Sequence, residues 1–524
     1  MYGCTLWTPS LLNTPLKMTK DSEVDMKDVE LNELDPEKQP MTGEGQTVGG
    51  EKNGSVKVKV SEEEAAFTGL SKEELMKVAG TPGWVRTRWV LLILFWLGWV
   101  GMLAGAIVII VQAPRCKPIP EMHWWNEGPL YQISDPEAFS DGLADVPKKL
   151  DNINQLKVKG LVLGPLHTVQ ADNSNTLDLK TIDPSQGTEA DLDEILEKAH
   201  KKGISVVLDL TPNYLGASPW FSNAVLNDIV NDVEVAAKHW LDRGFDGIKI
   251  ADLASAPNAL DWSSLQGNDT EDAKKKLLMG VVKGVSATEL SQLVNGSSAD
   301  LVLSDLLSTN SQGGQRINAL DSLHSQQRSL AWGLGAAEGE QLSKRAASQA
   351  LIRLHQLLLF TMPGTPVFSY GDEIGLQMQG DKSPKMVWDI EKEPEEGANV
   401  NETSDAQRKE FVAVRNWFKS LSDLRGKERS LLHGDYYSLQ SSASSLSFLR
   451  SWDQSDRFIT AVNWGSATET LQLKLPPTDE MKLPESATVK VSTDPELAVD
   501  STVPLDKVTL APGQGVLLHF PYTG

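Results

Sequence analysis

The sequence is poor in cysteine, in histidine and in basic residues. Its two cysteines, Cys4 and Cys116, exclude a disulfide-dense scaffold and a structural zinc site built from cysteine. The 8 histidines occur singly, which argues against a histidine metal cluster. Because Lys and Arg number 49 against 71 Asp and Glu, the net charge of −22 argues against a nucleic-acid partner. The 524 residues suffice for about three folded units, and no metal or cofactor is expected.

One long apolar run interrupts an otherwise ordinary globular composition. The segment Trp89–Gln112 contains 24 residues and no charge. As a helix with a rise of about 1.5 Å per residue it would span ~36 Å, which exceeds a hydrocarbon core of ~30 Å. A buried core helix rarely stays apolar on every side over this length, and the 88 residues before the run argue against a cleavable signal peptide. We therefore expect a single-pass signal anchor.

The charges around this run indicate its orientation. Four basic residues precede it closely and two follow it, namely Lys72, Lys77, Arg86 and Arg88 before, and Arg115 and Lys117 after. The excess before the run favours a cytoplasmic N-terminus and an external C-terminal part, as in a type II membrane protein. The polar residues 1–88 are expected to form a largely disordered cytoplasmic tail, although Ser71 to Glu74 has the form of a helix-starting capping box.

Two further patterns agree with an anchored, external protein. Sequons that could accept N-linked glycans begin at Asn268, Asn295 and Asn401, although chance alone gives about three in a chain of this length. Within the apolar run, small residues at Gly98, Gly101 and Gly105 would allow another helix to approach closely. Glycine is also simply common in membrane helices, so the pattern by itself leaves both interpretations open.

The remainder of the chain changes pattern once. After a juxtamembrane linker at 113–124, residues 125–430 alternate β-rich runs with helical segments, which predicts a parallel α/β domain of the length of a (β/α)8 barrel. The predicted strands include Gly160–Gly164, Ile204–Leu210 and Phe245–Ile250, and the predicted helices include Glu189–Lys202, Asp228–Arg243 and Ser343–Phe360. Residues 431–524 contain only short alternating runs separated by turn residues, which predicts a small antiparallel β domain.

Four segments in this region resemble the α-amylase family of glycoside hydrolases. They are the turn IDPSQGTEAD at 182–191, the strand VVLDLTPN at 206–213, the strand PVFSYGDEIGL at 366–376 and the tetrapeptide MVWD at 386–389. The resemblance covers roughly residues 125–524 and implies a (β/α)8 barrel followed by a β domain. Since only 30 residues separate Tyr214 from Phe245, the inserted domain that active members carry after the third strand is expected to be missing.

The positions at which this family carries its catalytic carboxylates are occupied by other residues. A retaining glycosidase needs a nucleophilic carboxylate and an acid about 5 Å apart. The resemblance places Ala251 where the nucleophile ends the fourth strand, Val281 where the acid ends the fifth, and Gly335 near the third carboxylate. It also places Lys249 at the position of an arginine, and strand alternation turns Asp252 away from the barrel mouth. The resemblance therefore implies a barrel that is not an enzyme.

Three carboxylates of the resembling segments are nevertheless present, namely Asp209, Asp372 and Glu373. A catalytic role would require a partner that divides the acid and nucleophile roles with them, and no such partner is apparent. We therefore expect them to orient neighbours or cap strand ends.

Cys116 lies four residues beyond the apolar run, and no second cysteine follows it. In an oxidising compartment an odd exposed thiol commonly joins another chain, although a free or palmitoylated cysteine is the alternative. With the anchor and the altered barrel, this residue makes the chain resemble the heavy chains of heteromeric amino-acid transporters. That resemblance implies a disulfide through Cys116 to a multi-pass transporter light chain, delivery of that chain to the plasma membrane, and integrin-linked signalling. A membrane-tethered α-glucosidase and an orphan adhesion receptor are the alternatives.

Overall fold

The computed structural model describes residues 71–112, 117–222, 224–255, 274–307, 313–333, 341–344, 346, 348–377, 383–391, 402–475 and 481–523. The chain divides into two compact units, residues 1–116 and residues 117–524. Each unit is described by itself.

The first unit contains two helices, α1 (Lys72–Ala79) and α2 (Pro82–Gln112). Ser71 Oγ accepts a hydrogen bond from the Glu74 backbone N–H, and the Glu74 carboxylate accepts one from the Ser71 N–H, which confirms the expected capping box. Helix α2 has 31 residues, a mean hydropathy of 2.4 over its most apolar window and no buried residue. It begins seven residues before the apolar run and confirms a helix long enough to cross a bilayer once.

Eight parallel strands of the second unit close into a barrel, which confirms the expected fold. Its strands are hydrogen-bonded in the order β1-β10-β9-β8-β7-β6-β5-β2, and β3 and β4 form a separate antiparallel pair. The strand bounds are β1 Leu130–Ile133, β2 Gly160–Leu163, β3 His167–Gln170, β4 Asn173–Ile182, β5 Ser205–Asp209, β6 Gly247–Ile250, β7 Leu277–Val282, β8 Leu301–Ser304, β9 Leu330–Trp332 and β10 Thr365–Ser369.

The second unit contains nine helices in its described residues, and most of them bury apolar side chains. Their bounds are α3 Pro136–Ser140, α4 Val146–Asn154, α5 Glu189–Lys201, α6 Leu226–Arg243, α7 Ala287–Gly296, α8 Gly313–Leu323, α9 Gln349–Thr361, α10 Glu402–Lys427 and α11 Arg429–Leu432. Helix α5 shows why they form: a capping box between Thr188 and Asp191 starts it, and Leu192, Ile195 and Leu196 are buried at helical spacing. Full burial of each such side chain contributes about 1.5–3 kcal/mol to stability.

Strand alternation divides the barrel side chains between two apolar layers. The residues that face inward form one cluster, which includes Val207, Leu277, Met279, Val281 and Leu303. Their sequence neighbours face the surrounding helices and belong to a second, larger cluster. The barrel interior is therefore a packed core, and any polar group inside it needs a partner.

The C-terminal β domain is antiparallel, as expected. Its six-stranded sheet has the order β11-β12-β13-β18-β15-β16, and β14 pairs with β17. The strand bounds are β11 Asp435–Ser438, β12 Ser445–Ser451, β13 Arg457–Asn463, β14 Glu469–Leu471, β15 Ser486–Ser492, β16 Thr502–Pro504, β17 Val508–Leu510 and β18 Gly515–Phe520. Its core is a separate apolar cluster centred on Leu449, Ile459, Val489 and Leu518.

Candidate functional site

The C-terminal ends of the barrel strands hold a buried ion pair where the fold would place a reaction centre. Lys249 Nζ lies 2.7 Å from Asp209 Oδ2, and the two side chains are only 3% and 4% exposed. Both residues occupy inward-facing positions, at the end of β5 and near the end of β6. A lysine and a carboxylate buried side by side compensate each other's charge, so neither faces solvent as an isolated ion.

The second oxygen of Asp209 is also occupied. Asp209 Oδ1 accepts hydrogen bonds from the Thr211 backbone N–H at 2.9 Å and from Thr211 Oγ1 at 2.6 Å. Thr211 Oγ1 in turn accepts the Ala251 backbone N–H at 3.1 Å. The carboxylate therefore ties the end of β5 to the turn after β6, which is the orienting role expected of it.

Two of the three positions expected to have lost carboxylates, Ala251 and Val281, lie on or directly after the strands beside this pair. Ala251 follows β6 and is buried, and Val281 on β7 belongs to the inward apolar cluster. Asp252 has a left-handed backbone with a φ of 49°, and its carboxylate accepts a hydrogen bond from Ser255 in the same turn. Gly335 lies outside the described residues.

The two other retained carboxylates are buried beside one another in a single 3-10 turn after β10. Asp372 accepts the backbone N–H groups of Leu342 at 2.6 Å and Ser369 at 2.9 Å. Burial raises the pKa of Asp372 to about 8, even though these hydrogen bonds favour its ionised form. Tyr131 donates to Glu373 Oε1 at 2.8 Å, and burial raises the pKa of Glu373 as well. This pair fastens the turn after β10 to its neighbours.

The raised pKa of Asp372 predicts a pH dependence of stability. In the folded chain Asp372 keeps its proton up to about pH 8, whereas in the unfolded chain it loses the proton near the ordinary pKa of 3.8. The stability that this group contributes is therefore lost as the pH rises between these two values. The free energy of unfolding should fall by on the order of 1 kcal/mol per pH unit between about pH 5 and 8 relative to Asp372→Asn. Urea titrations of both proteins at several pH values measure the difference, and parallel pH profiles would contradict the raised pKa.

A buried histidine, His167, lies beside the ion pair. His167 Nε2 lies 3.1 Å from the Pro212 carbonyl oxygen, and Tyr214 donates to the His167 carbonyl oxygen at 3.2 Å. Burial lowers the pKa of His167. The sequence analysis missed this residue and the pairing of Lys249 with Asp209. The available signal was a lysine two residues before Ala251 at an inward-facing position.

The short connection after β5 is held by side-chain hydrogen bonds. Asn213 Nδ2 donates to Asp172 Oδ1 at 3.0 Å, and the Asp172 backbone N–H donates to Asn213 Oδ1 at 3.0 Å. Apart from residue 223, the chain between Asn213 and β6 is described, and α6 is its one long helix. The barrel therefore lacks a domain inserted at this point in its described residues, as expected.

The remaining predicted positions lie outside the barrel interior. Gly98, Gly101 and Gly105 are exposed on α2, and a Cβ added at any of them would meet no atom within 4 Å. Asn295 is exposed near the end of α7. Cys4, Cys116, Asn268 and Asn401 lie outside the described residues. Among the described residues, no group of three or more His, Cys, Asp or Glu side chains could hold a metal ion.

Two family models match adjacent segments of the chain, and known sequences align with most of its length. Residues 55–131 match the family "Solute carrier family 3 member 2 N-terminus", and residues 131–233 match "Alpha amylase, catalytic domain". The amino acid transporter heavy chain SLC3A2 of Mus musculus is 44% identical over 532 residues, covering 96% of this chain and all of the relative. The SLC3A2 heavy chain of Oryctolagus cuniculus is 43% identical with the same coverage. The SLC3A1 heavy chain of Rattus norvegicus is 23% identical and covers 86% of each chain.

Comparison with solved structures supports the barrel and the β domain. An α-amylase of Geobacillus thermoleovorans superposes with a TM-score of 0.55 at 17% identity, covering 76% of this chain and 99% of that one. A debranching enzyme of Nostoc punctiforme superposes with a TM-score of 0.57 at 18% identity, covering 77% and 100%. At such low identity the likeness is one of fold.

Proposed function

Since the chain belongs to the family of SLC3A2-type amino acid transporter heavy chains, we propose that it is a non-catalytic subunit joined by a disulfide to a multi-pass transporter light chain. The observation that carries the proposal is the single cysteine after the apolar run, Cys116, in a full-length relative of transporter heavy chains. One membrane helix cannot itself line an amino-acid pathway, so the transport pathway belongs to the light chain. Non-reducing electrophoresis and identification of the covalently linked chain test this proposal.

The same membrane segment supports the proposed association with a light chain and the proposed orientation in the membrane. The glycines of α2 lie near one helix face where a partner helix could approach closely, and a disulfide to that partner would raise the effective concentration of the helix contact. We place the N-terminus in the cytoplasm and the barrel outside the plasma membrane, with glycans on Asn268, Asn295 and Asn401 as proposed sites. Escort of the light chain to the cell surface, its stabilisation there and integrin-linked signalling belong to the same proposal.

The absence of catalysis is proposed from the chemistry of the barrel mouth. Hydrolysis with retention needs two free carboxylates with divided roles. Asp209 is paired with Lys249, whereas Asp372 is held by two backbone N–H groups. With Ala251, Val281 and Gly335 as the lost catalytic positions, neither a nucleophile nor an acid flanks a scissile bond.

This proposal predicts that the full-length chain in detergent releases no product from an α-glucoside. The carboxylates that are present are neutralised or engaged with backbone groups, so turnover should equal that of the buffer alone. Incubation with p-nitrophenyl α-glucoside, with a known α-glucosidase as positive control, provides the measurement. Turnover that disappears in Asp209→Asn would establish an enzyme and contradict the proposal.

A further inference from the structure

A small pocket at the opposite, N-terminal end of the barrel lies outside the site described above. It has a volume of about 40 Å³ and is lined by residues from several parts of the chain. Asn126 and Arg328 lie just before β1 and β9, Thr365 begins β10, Arg425 comes from the last turn of α10, and His433 precedes the β domain. Pocket walls drawn from separate parts of the fold are a common setting for a bound ligand.

The charge around this pocket is strongly positive in a chain whose net charge is −22. Burial lowers the pKa of His433, and Arg328, Arg429, Arg425 and Arg450 lower it further. No acidic residue is among the described residues that line the pocket. Within the described part of the chain, none of the four arginines has a carboxylate within 4.0 Å. Two of these arginines, Arg328 and Arg425, line the pocket, and the other two add positive charge close to His433.

Two of these arginines are almost completely buried. Burial lowers the pKa of Arg425 to about 10 and, together with Arg425 itself, that of Arg450 to about 9. Their terminal nitrogens donate to carbonyl groups at and just after the C-terminal end of α9, at distances from 2.5 to 3.1 Å. Carbonyl dipoles offset only part of two full charges. Asp435 lies near enough to raise the pKa of Arg450, yet it forms an ion pair with Lys117.

Unsatisfied polar atoms are present in the same place. The buried Arg425 Nε has no hydrogen-bond partner among the described residues, and neither does Asn126 Oδ1. Asn126 Nδ2 is already used, because it donates to the Arg328 carbonyl oxygen at 2.8 Å and to Thr365 Oγ1 at 3.2 Å. A buried donor and a buried acceptor without partners lower stability, and a bound ion with an accompanying water would satisfy both.

We propose that this pocket binds a small inorganic anion of the size of chloride. A volume of about 40 Å³ is a few times the ~10–15 Å³ that a cavity needs to hold one water, and it is too small for a sugar or an amino acid. Arg328, Arg425 and His433 line the pocket and supply the donors, and Asn126 Oδ1 accepts from a neighbouring water. Since Pro120 and Met122 of the linker also line the pocket, the anion joins the linker, the barrel and the β domain.

Chloride-35 NMR on the full-length protein in detergent tests this inference. Bound chloride broadens the bulk resonance, and the broadening should saturate as sodium chloride replaces sodium gluconate at constant ionic strength. Arg328→Gln, at an exposed residue that should not affect folding, is expected to weaken chloride binding by about tenfold. Lys507→Gln, which removes one exposed charge on the β domain, is the matched control and should bind as the unmodified chain does.

Thermal unfolding distinguishes lost chloride binding from an effect of the variant on folding. The thermal midpoint of the unmodified chain should rise with chloride by about 3 °C and level off, and Arg328→Gln should lose this rise while starting from a similar midpoint in gluconate. Bromide should substitute for chloride, and sulfate should compete poorly because it is larger. Equal broadening in Arg328→Gln, absence of saturation, or stronger binding of sulfate would overturn the inference.

Discussion

Replacing Cys116 by serine is expected to remove every reductant-sensitive, higher-mass species that this chain forms on electrophoresis without reductant. The reason is that no other cysteine follows helix α2 in the sequence, so the part of the chain proposed to lie outside offers no second thiol for the bridge. In an oxidising compartment such a thiol is the one available point of covalent attachment. The measurement is an immunoblot of cell-surface protein, with and without dithiothreitol, for the unmodified and the variant chain.

The chain supplies its own control for this experiment. Cys4→Ser removes the other cysteine, which is proposed to lie in the reducing cytoplasm, and should leave the reductant-sensitive species unchanged. Migration is the informative observable, because the proposed helix contact through the glycines of α2 would hold a partner even without the disulfide. The proposed function would be contradicted if a linked species persists in Cys116→Ser, or if the unmodified chain migrates identically with and without reductant.

This outcome is independent of the anion pocket. Cys116 is not among the residues that line the pocket, and Arg328→Gln leaves the cysteine untouched. A failed chloride experiment would therefore leave the disulfide-linked subunit intact as a proposal. A failed disulfide experiment would equally leave the chloride measurement interpretable, since it depends on the charges around His433 alone.

The fold could be predicted because its signals are local. Alternation between β-rich and helical runs predicted the barrel, and the predicted helix over Glu189–Lys202 ends within one residue of the observed α5. The predicted helix over Ser343–Phe360 was wrong at its start, because Ser348 is extended and caps α9 by accepting the Leu351 N–H at 3.3 Å. A serine such as Ser348 can lie within a helix or cap its start, so the sequence pattern does not decide where the helix begins.

The candidate sites were harder to predict because they combine residues that are distant in sequence. Lys249 and Asp209 are 40 residues apart, and they meet only because β5 and β6 pair in the register that places both inside the barrel. The proposed anion pocket joins residues from Pro120 to His433. Composition and local pattern carry no information on which distant charges share a pocket, so such sites require the closed barrel.

Lys249→Met is expected to lower the free energy of unfolding by about 3–5 kcal/mol, because it leaves the Asp209 carboxylate buried without its counter-charge. Methionine retains most of the volume and the unbranched shape of lysine, so lost packing contributes little. Urea unfolding of the full-length chain in detergent, followed by tryptophan fluorescence, measures the shift of the barrel transition. Lys198→Met is the matched control, because Lys198 pairs with Glu194 at 2.6 Å on an exposed helix face and should cost less than about 1 kcal/mol.

The double variant Lys249→Met with Asp209→Asn separates the loss of a charge partner from the loss of the side chain itself. Asparagine is neutral, and its oxygen can still accept from Thr211, as Asp209 does at 2.6 and 2.9 Å. Removing both charges should therefore recover most of the stability that Lys249→Met loses. A double variant as unstable as Lys249→Met would show that lysine packing, rather than the buried charge of Asp209, controls stability at the barrel mouth. Recovery would instead indicate that the Asp209 carboxylate has a structural role at the barrel mouth, as expected of a subunit without catalytic activity.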